Sequence, residues 1–205
     1  MITNSPAESR GLWTWRLVQV IMGISILSYI GIFFLSGFQE GSTRQAIRWS
    51  ARFSVVLFCI AFAANAFHQW GKNSFSWWVF MNRKFFGITF ALNHLIHLFF
   101  IFLLQKNFHP VFNEAAPFSL FAGGMAYLFI ILMLLTSFSF FEKMISRQNW
   151  KRLHTVGGYW IWTVFMSLNF TRVLNGEWSY AVVVILLVVV MVMRIYEYRI
   201  SNIEH

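Results

Sequence analysis

Residues 85–105 read FFGITFALNHLIHLFFIFLLQ, with no Asp, Glu, Lys or Arg. At ~1.5 Å rise per residue, roughly 20 such residues cross a ~30 Å hydrocarbon core, so this stretch reads as a transmembrane helix. Five more charge-free stretches surround it, at 17–39, 53–71, 115–141, 153–171 and 178–193, the last being the shortest. The predicted fold is all-α: a polytopic membrane protein forming a six-transmembrane-helix bundle, with 1–205 as one domain. Hydrophobic residues make up 58% of the chain and charged residues 11%, well below the ~25% charged of a soluble domain.

The flanks agree with the spans. Trp13, Trp15, Trp49, Trp70, Trp77, Trp78, Trp150 and Trp178 fall at or next to proposed helix ends, where an indole suits the boundary between water and lipid. The N-terminal segment, loops 72–84 and 142–152 and the tail carry Arg10, Arg16, Lys72, Arg83, Lys84, Lys143, Arg147, Lys151, Arg152, Arg194 and Arg199. The opposite side carries Arg44, Arg48, Arg52, Lys106 and Arg172. Eleven cations against five place both termini in the cytoplasm of a multi-pass inner-membrane protein by the positive-inside bias. The net charge of +9 reads as topology and contact with anionic membrane lipid; no soluble basic face remains for nucleic acid. The first stretch is too long for a secretory signal peptide and lacks a convincing small-residue cleavage site.

Several function classes are excluded. Cys59 is the single cysteine, so disulfide frameworks, CxxC pairs and thiolate iron–sulfur clusters cannot form within the chain. No loop or tail has room for a flavin- or nicotinamide-binding domain of ~100–150 residues, so an electron donor would be another chain or a quinol. The acidic residues Glu8, Glu40, Glu114, Glu142, Glu177, Glu197 and Glu204 lie in tails, loops or at span borders. A carboxylate-driven transporter is disfavoured, because such proteins keep a titrating acid at membrane depth.

Buried chemistry therefore falls to histidine. Gly87, His94 and His97 share one face, since seven residues advance ~700° and three advance ~300° along a helix. Imidazoles near mid-membrane are hydrogen-bonded, face a water-filled cavity or bind iron. His154 lies near the cytoplasmic boundary, one turn before Gly157 and Gly158, a small-residue pair that admits either a flat macrocycle or a close helix neighbour. His68 sits at the cytoplasmic end of its span beside Trp70, as interfacial histidines without metal also do. His109 and His205 read as solvated. Ser167 and Asn169 read as helix-joining polar groups or as partners for a propionate or quinone carbonyl. Arg83 and Lys84 read as topology cations, with Arg83 held as a site candidate.

Three segments, RKFFGITFALNHLIHL (83–98), GGMAYLFIILMLLTSF (123–138) and NWKRLHTVGGYWIW (149–162), together resemble the ferric reductase-like transmembrane domain. The likeness covers residues ~45–175 and extends to small stand-alone bacterial members, including the haem-bearing membrane subunit of a methionine sulfoxide reductase system. It rests on Arg83-x-x-x-Gly87, with that glycine ten residues before His97, and on Leu153-His154 after a basic helix start. The resemblance implies b-type haem, one or two per chain, and transmembrane electron transfer from a flavoprotein or quinol donor to an acceptor on the far side.

By position, the family's outer ligand on the third helix is His97 with His94 beside it, and its inner position is Arg83. On the fifth helix the inner ligand is His154, and the outer position is Ser167. The chain departs from the family at Arg83 and Ser167, the second leaving the outer layer without a partner ligand. His154 and His94 then differ in depth by eight residues, ~12 Å. Three arrangements follow: a tilted haem spanning His94 and His154, an outer haem on His97 or His94 with an open or weak sixth position, or an inner haem on His154 with a partner such as His68. The alternatives from other classes are a non-catalytic membrane scaffold that has lost haem and a quinone-binding protein without it.

Overall fold

The computed structural model describes residues 6–109 and 117–203, with side chains described over 15–109 and 120–200. The expectations placed on Glu114, Glu204 and His205, and on the side chains of Glu8, Arg10 and Trp13, lie outside these bounds. Among the described residues every regular element is helical: α1 (Pro6–Ser36), α2 (Glu40–Gly71), α3 (Ser74–Phe108), α4 (Pro117–Leu135), α5 (Ser139–Glu142), α6 (Arg147–Leu174), a 3₁₀ turn at Trp178–Tyr180 and α7 (Ala181–Ile203). Among the described residues, four segments are long and apolar enough to cross a membrane: Trp15–Ser36, Glu40–Gly71, Ser74–Phe108 and Trp178–Ile200.

The other two expected spans differ in instructive ways. Within the described part of the expected 115–141 segment, α4 runs from Pro117 to Leu135 and helix resumes at Ser139 in α5; the described apolar stretch, Leu120–Leu135, is shorter than a span. The hydroxyls of Thr136 and Ser137 donate to the carbonyls of Leu132 (2.8 Å) and Met133 (2.7 Å). Such back-bonding offers the chain an alternative to helix continuation, and three-residue turns take over at Ser137 and Phe138. α6, with 28 residues, is long enough, but Thr155, Gly157, Gly158, Thr163, Ser167 and Asn169 dilute its apolar character.

Helices run past the charge-free limits because a helix ends at a cap rather than at the edge of hydrocarbon. α1 stops at Gly37, in the left-handed region (φ 68). Between α2 and α3, Lys72 takes φ 44, and its N–H closes on the His68 carbonyl at 3.0 Å. Asn73 and Ser76 then cap reciprocally: Ser76 N–H donates to Asn73 Oδ1 (2.8 Å), and Asn73 N–H to Ser76 Oγ (3.1 Å). α6 opens on Ser146, whose hydroxyl accepts from Asn149 N–H, and closes at Gly176 (φ 87).

The chain groups into two compact units, Met1–Phe58 with Met81–Pro110, and Cys59–Phe80 with Val111–His205. In the first, Tyr29, Ala46 and Phe100 form a buried cluster flanked by Ile32, Phe33, Ile47, Ile96 and Leu103, with the Tyr29 and Phe100 rings edge to face at 5.2 Å. In the second, α4 lies on α6 through Gly157, and Phe62 of α2 lies on Gly158. A Cβ on Gly157 would stand 2.8 Å from Met133 Sδ and 3.0 Å from Phe129, and one on Gly158 3.1 Å from the Phe62 ring. Indole N–H groups add to this packing: Trp160 donates to the Ala122 carbonyl (3.2 Å) and Trp162 to that of Leu187 (3.0 Å).

Because Phe129 and Met133 cover Gly157, Gly157→Leu is expected to lower unfolding free energy by about 1–3 kcal/mol, as overpacking does. Gly123, with nothing within 4 Å of a built Cβ, should accept alanine silently. Denaturation in mixed micelles compares the two; equal behaviour would show that the α4–α6 contact does not carry stability.

Candidate functional site

In the first unit buried polar groups of the long apolar helices converge on Asn93, which is 0% exposed. Its Oδ1 accepts from the Tyr29 hydroxyl at 2.7 Å, and its Nδ2 donates to the Ser50 carbonyl (3.0 Å) and the Ser54 hydroxyl (2.8 Å). One amide thereby ties α1, α2 and α3, with both N–H donors and the carbonyl oxygen engaged, as apolar surroundings demand. One turn along α3 from Asn93, His97 Nδ1 lies 3.1 Å from the Ile47 carbonyl and 3.0 Å from Ser50 Oγ.

The Ile47 carbonyl only accepts, so its contact is a hydrogen bond in the Nδ1–H tautomer of His97. The Ser50 hydroxyl, which also reaches the Ile47 carbonyl at 3.0 Å, accepts from Nδ1–H in that tautomer and donates to a bare Nδ1 in the other. In the Nδ1–H tautomer, Nε2 is the bare nitrogen. An imidazole whose Nδ1–H is held by a backbone carbonyl has the arrangement that orients a metal-ligating histidine. His94 is buried and stacks on His97, centroids 5.0 Å apart and planes 20° apart. Side by side on one helix, the two rings cannot occupy opposite axial positions of a single iron.

His154, in the second unit, is placed differently. Its Nε2 lies 3.2 Å from Thr136 Oγ1, a hydroxyl that also reaches the Leu132 carbonyl at 2.8 Å. The ring stacks on Trp150 with centroids 4.1 Å apart, and Trp150 Nε1 donates to the Thr136 carbonyl at 3.1 Å. Thr136, His154 and Trp150 thus close the α4–α6 junction. His68 belongs to the α2–α3 turn: Nδ1 is 3.1 Å from Ser76 Oγ, and the ring stacks on Phe80.

Arg83 and Ser167 are both on exposed faces; the Ser167 hydroxyl donates to the Val164 carbonyl of its own helix at 3.0 Å. The structure brings His94 and His97 together, with His68 and His154 each in a separate local network. Among the described residues, no three His, Cys, Asp or Glu side chains gather as a chelating set.

Two networks escaped the sequence reading. Asn93 and Tyr29 carried no signal beyond polarity inside an apolar run. Asn65 of α2 donates to Glu197 of α7, whose other oxygen accepts from Arg194 at 2.9 Å, while the Arg194 guanidinium lies 5.1 Å from the Phe62 ring centre. The side chains of Arg194 and Glu197 are only 23% and 13% exposed, inside the Trp178–Ile200 span. The signal was the Arg-x-x-Glu spacing directly after an apolar run, which reads more easily as a solvated tail. No family model, curated protein or solved structure matches the chain.

Asn93→Ala removes three hydrogen bonds and strands the Tyr29 hydroxyl. It should cost about 1–3 kcal/mol, since bonds between membrane helices average ~0.6 kcal/mol each. Tyr29→Phe removes one bond and should cost less. Unfolding in mixed micelles measures both, and equal losses would contradict the hub role of Asn93.

Proposed function

We propose that this chain is an integral membrane b-type haem protein of the ferric reductase-like class. In this reading six spans cross the cell inner membrane with cytoplasmic termini, and electrons pass from a flavoprotein or quinol donor to an acceptor on the opposite side. The observation that supports it is the approach of His97 Nδ1 to the Ile47 carbonyl at 3.1 Å: an Nδ1–H held there leaves Nε2 unprotonated and suited to iron.

The residues that would hold haem begin with His97. His94, stacked on it, supplies a rigid apolar wall and a second imidazole. His154 would ligate through Nε2 only by giving up Thr136, and Ser167 offers no nitrogen, so neither would add a ready second ligand to His97. Bound haem supplies one-electron iron redox chemistry. The protein's own part is to exclude water from His94 and Asn93, both under 10% exposed, and to hold the imidazole proton on Nδ1.

A second reading is favoured by a separate observation: Gly157 and Gly158 are covered by Phe129, Met133 and Phe62, and His154 is engaged with Thr136 and Trp150. These are the marks of packed helices, and a haem-free membrane scaffold would use the same contacts.

Protein purified in detergent from haem-replete cells separates the readings by its reduced-minus-oxidised spectrum and a pyridine haemochrome count. The haem reading expects a b-type signal, carbon monoxide binding to the reduced protein, and loss of most haem in His97→Ala. His154→Gln, which keeps a hydrogen-bond donor for Thr136, should leave the spectrum close to wild type. Ser167→His should suppress carbon monoxide binding if position 167 serves the same haem. Colourless protein establishes the scaffold. For topology, a reporter active only in the cytoplasm should work when fused after His205 and fail in the 107–114 loop; the reverse would invert the orientation.

A further inference from the structure

The connection from α4 to α6 interleaves two kinds of exposed side chain. Trp150 Nε1 donates to the Thr136 carbonyl at 3.1 Å, so the end of α4 and the start of α6 stand side by side and the residues between them form the tip of a helical hairpin. On that tip Phe140 and Met144 are each 71% exposed, and Phe141 is 37% exposed. Lys143, Arg147, Lys151 and Arg152 around them are exposed as well. Between residues 137 and 152 these four cations are set against one acid, Glu142.

Neither water nor hydrocarbon alone suits such a segment. In water, two large apolar side chains stay hydrated at about 25 cal/mol for each Å² left uncovered. In hydrocarbon, each lysine or arginine costs ~2.5–3.5 kcal/mol. The lipid boundary satisfies both, with rings and thioether among the acyl chains and the cations extended to the headgroups on their methylene stems. The apolar surface also continues from the tip onto α4, where Ile131, Leu132 and Leu135 are exposed, as it would on a hairpin that enters lipid. The charge then selects the lipid: the excess of cations is complementary to an anionic headgroup layer, which attracts each one by ~1 kcal/mol.

We propose that the α4–α6 tip is a membrane-docking surface for an anionic leaflet. Phe140, Phe141 and Met144 enter the acyl region, while Lys143, Arg147 and Lys151 meet lipid phosphates at the headgroup level. The surface rests on the chain being a membrane protein and is independent of any haem.

Spin-label depth measurement on the whole protein in vesicles tests the assignment. The single cysteine, Cys59, is buried, so a Cys59→Ser background carries Phe140→Cys, Met144→Cys or, as an aqueous reference on the exposed first turn of α6, Gln148→Cys. In mixed phosphatidylglycerol and phosphatidylcholine, labels at 140 and 144 should collide with oxygen, which concentrates in hydrocarbon, in severalfold preference to a water-soluble nickel chelate, and the label at 148 should show the reverse. In phosphatidylcholine alone, or after Lys143→Gln with Arg147→Gln, the preference at 140 and 144 should fall on the order of fivefold, the factor one cation contributes at an anionic surface. Lys143→Arg with Arg147→Lys, which keeps the charge, should read as the parent does. Labels at 140 and 144 that favour nickel in anionic vesicles would leave the tip in water, open to a soluble protein partner, and overturn membrane docking. Equal oxygen preference in the two kinds of vesicle overturns the choice of an anionic leaflet.

Discussion

A carboxamide with no access to water, inside an apolar helix, has to find all its hydrogen bonds in protein, and Asn93 finds them on two other helices. Its acceptors are the Ser50 carbonyl and the Ser54 hydroxyl, one turn apart on α2, so α2 is held against α3 in rotation and in register. With the register set, the Ile47 carbonyl falls 3.1 Å from His97 Nδ1. Hydrophobic attraction alone is a weak organiser among helices already in hydrocarbon. Polar satisfaction supplies the specificity that burial cannot.

The second unit solves the same problem with different groups. Indole N–H donors of Trp150, Trp160 and Trp162 reach backbone carbonyls on neighbouring segments, and paired glycines let α6 approach Phe129 and Phe62 closely. These tryptophans are structural fasteners. The Asn65–Glu197–Arg194 group extends the pattern to charge, with the carboxylate divided between an amide and a guanidinium, so neither ion is buried alone.

Helical class and long apolar spans were legible in the sequence, because crossing hydrocarbon imposes length and composition on contiguous residues. So was the shared face of His94 and His97, a matter of helical period. The early end of α4, where three-residue turns take over at Ser137 and Phe138, is marked by no glycine or proline in the sequence. The hub at Asn93 joins residues 64 and 43 positions apart, and nothing local at Tyr29 or Ser50 announces the pairing. His154 shows the limit most sharply: the Leu-His-x-x-Gly-Gly pattern is equally consistent with a ligand and a packed residue, and nothing near it in sequence points to its Nε2 contact with Thr136, eighteen positions earlier.

The connection between α2 and α3 is two residues, Lys72 and Asn73, held by the left-handed Lys72 and the reciprocal Asn73–Ser76 cap. Two residues extend no more than ~7 Å, far short of a bilayer. The end of α2 and the start of α3 are therefore on one side of any membrane they cross, and the pair behaves as a helical hairpin from the moment it is made. Its orientation during biogenesis is a single decision: cations flanking the turn, such as Arg83 and Lys84, weigh on both helices at once, and neither can invert without its partner.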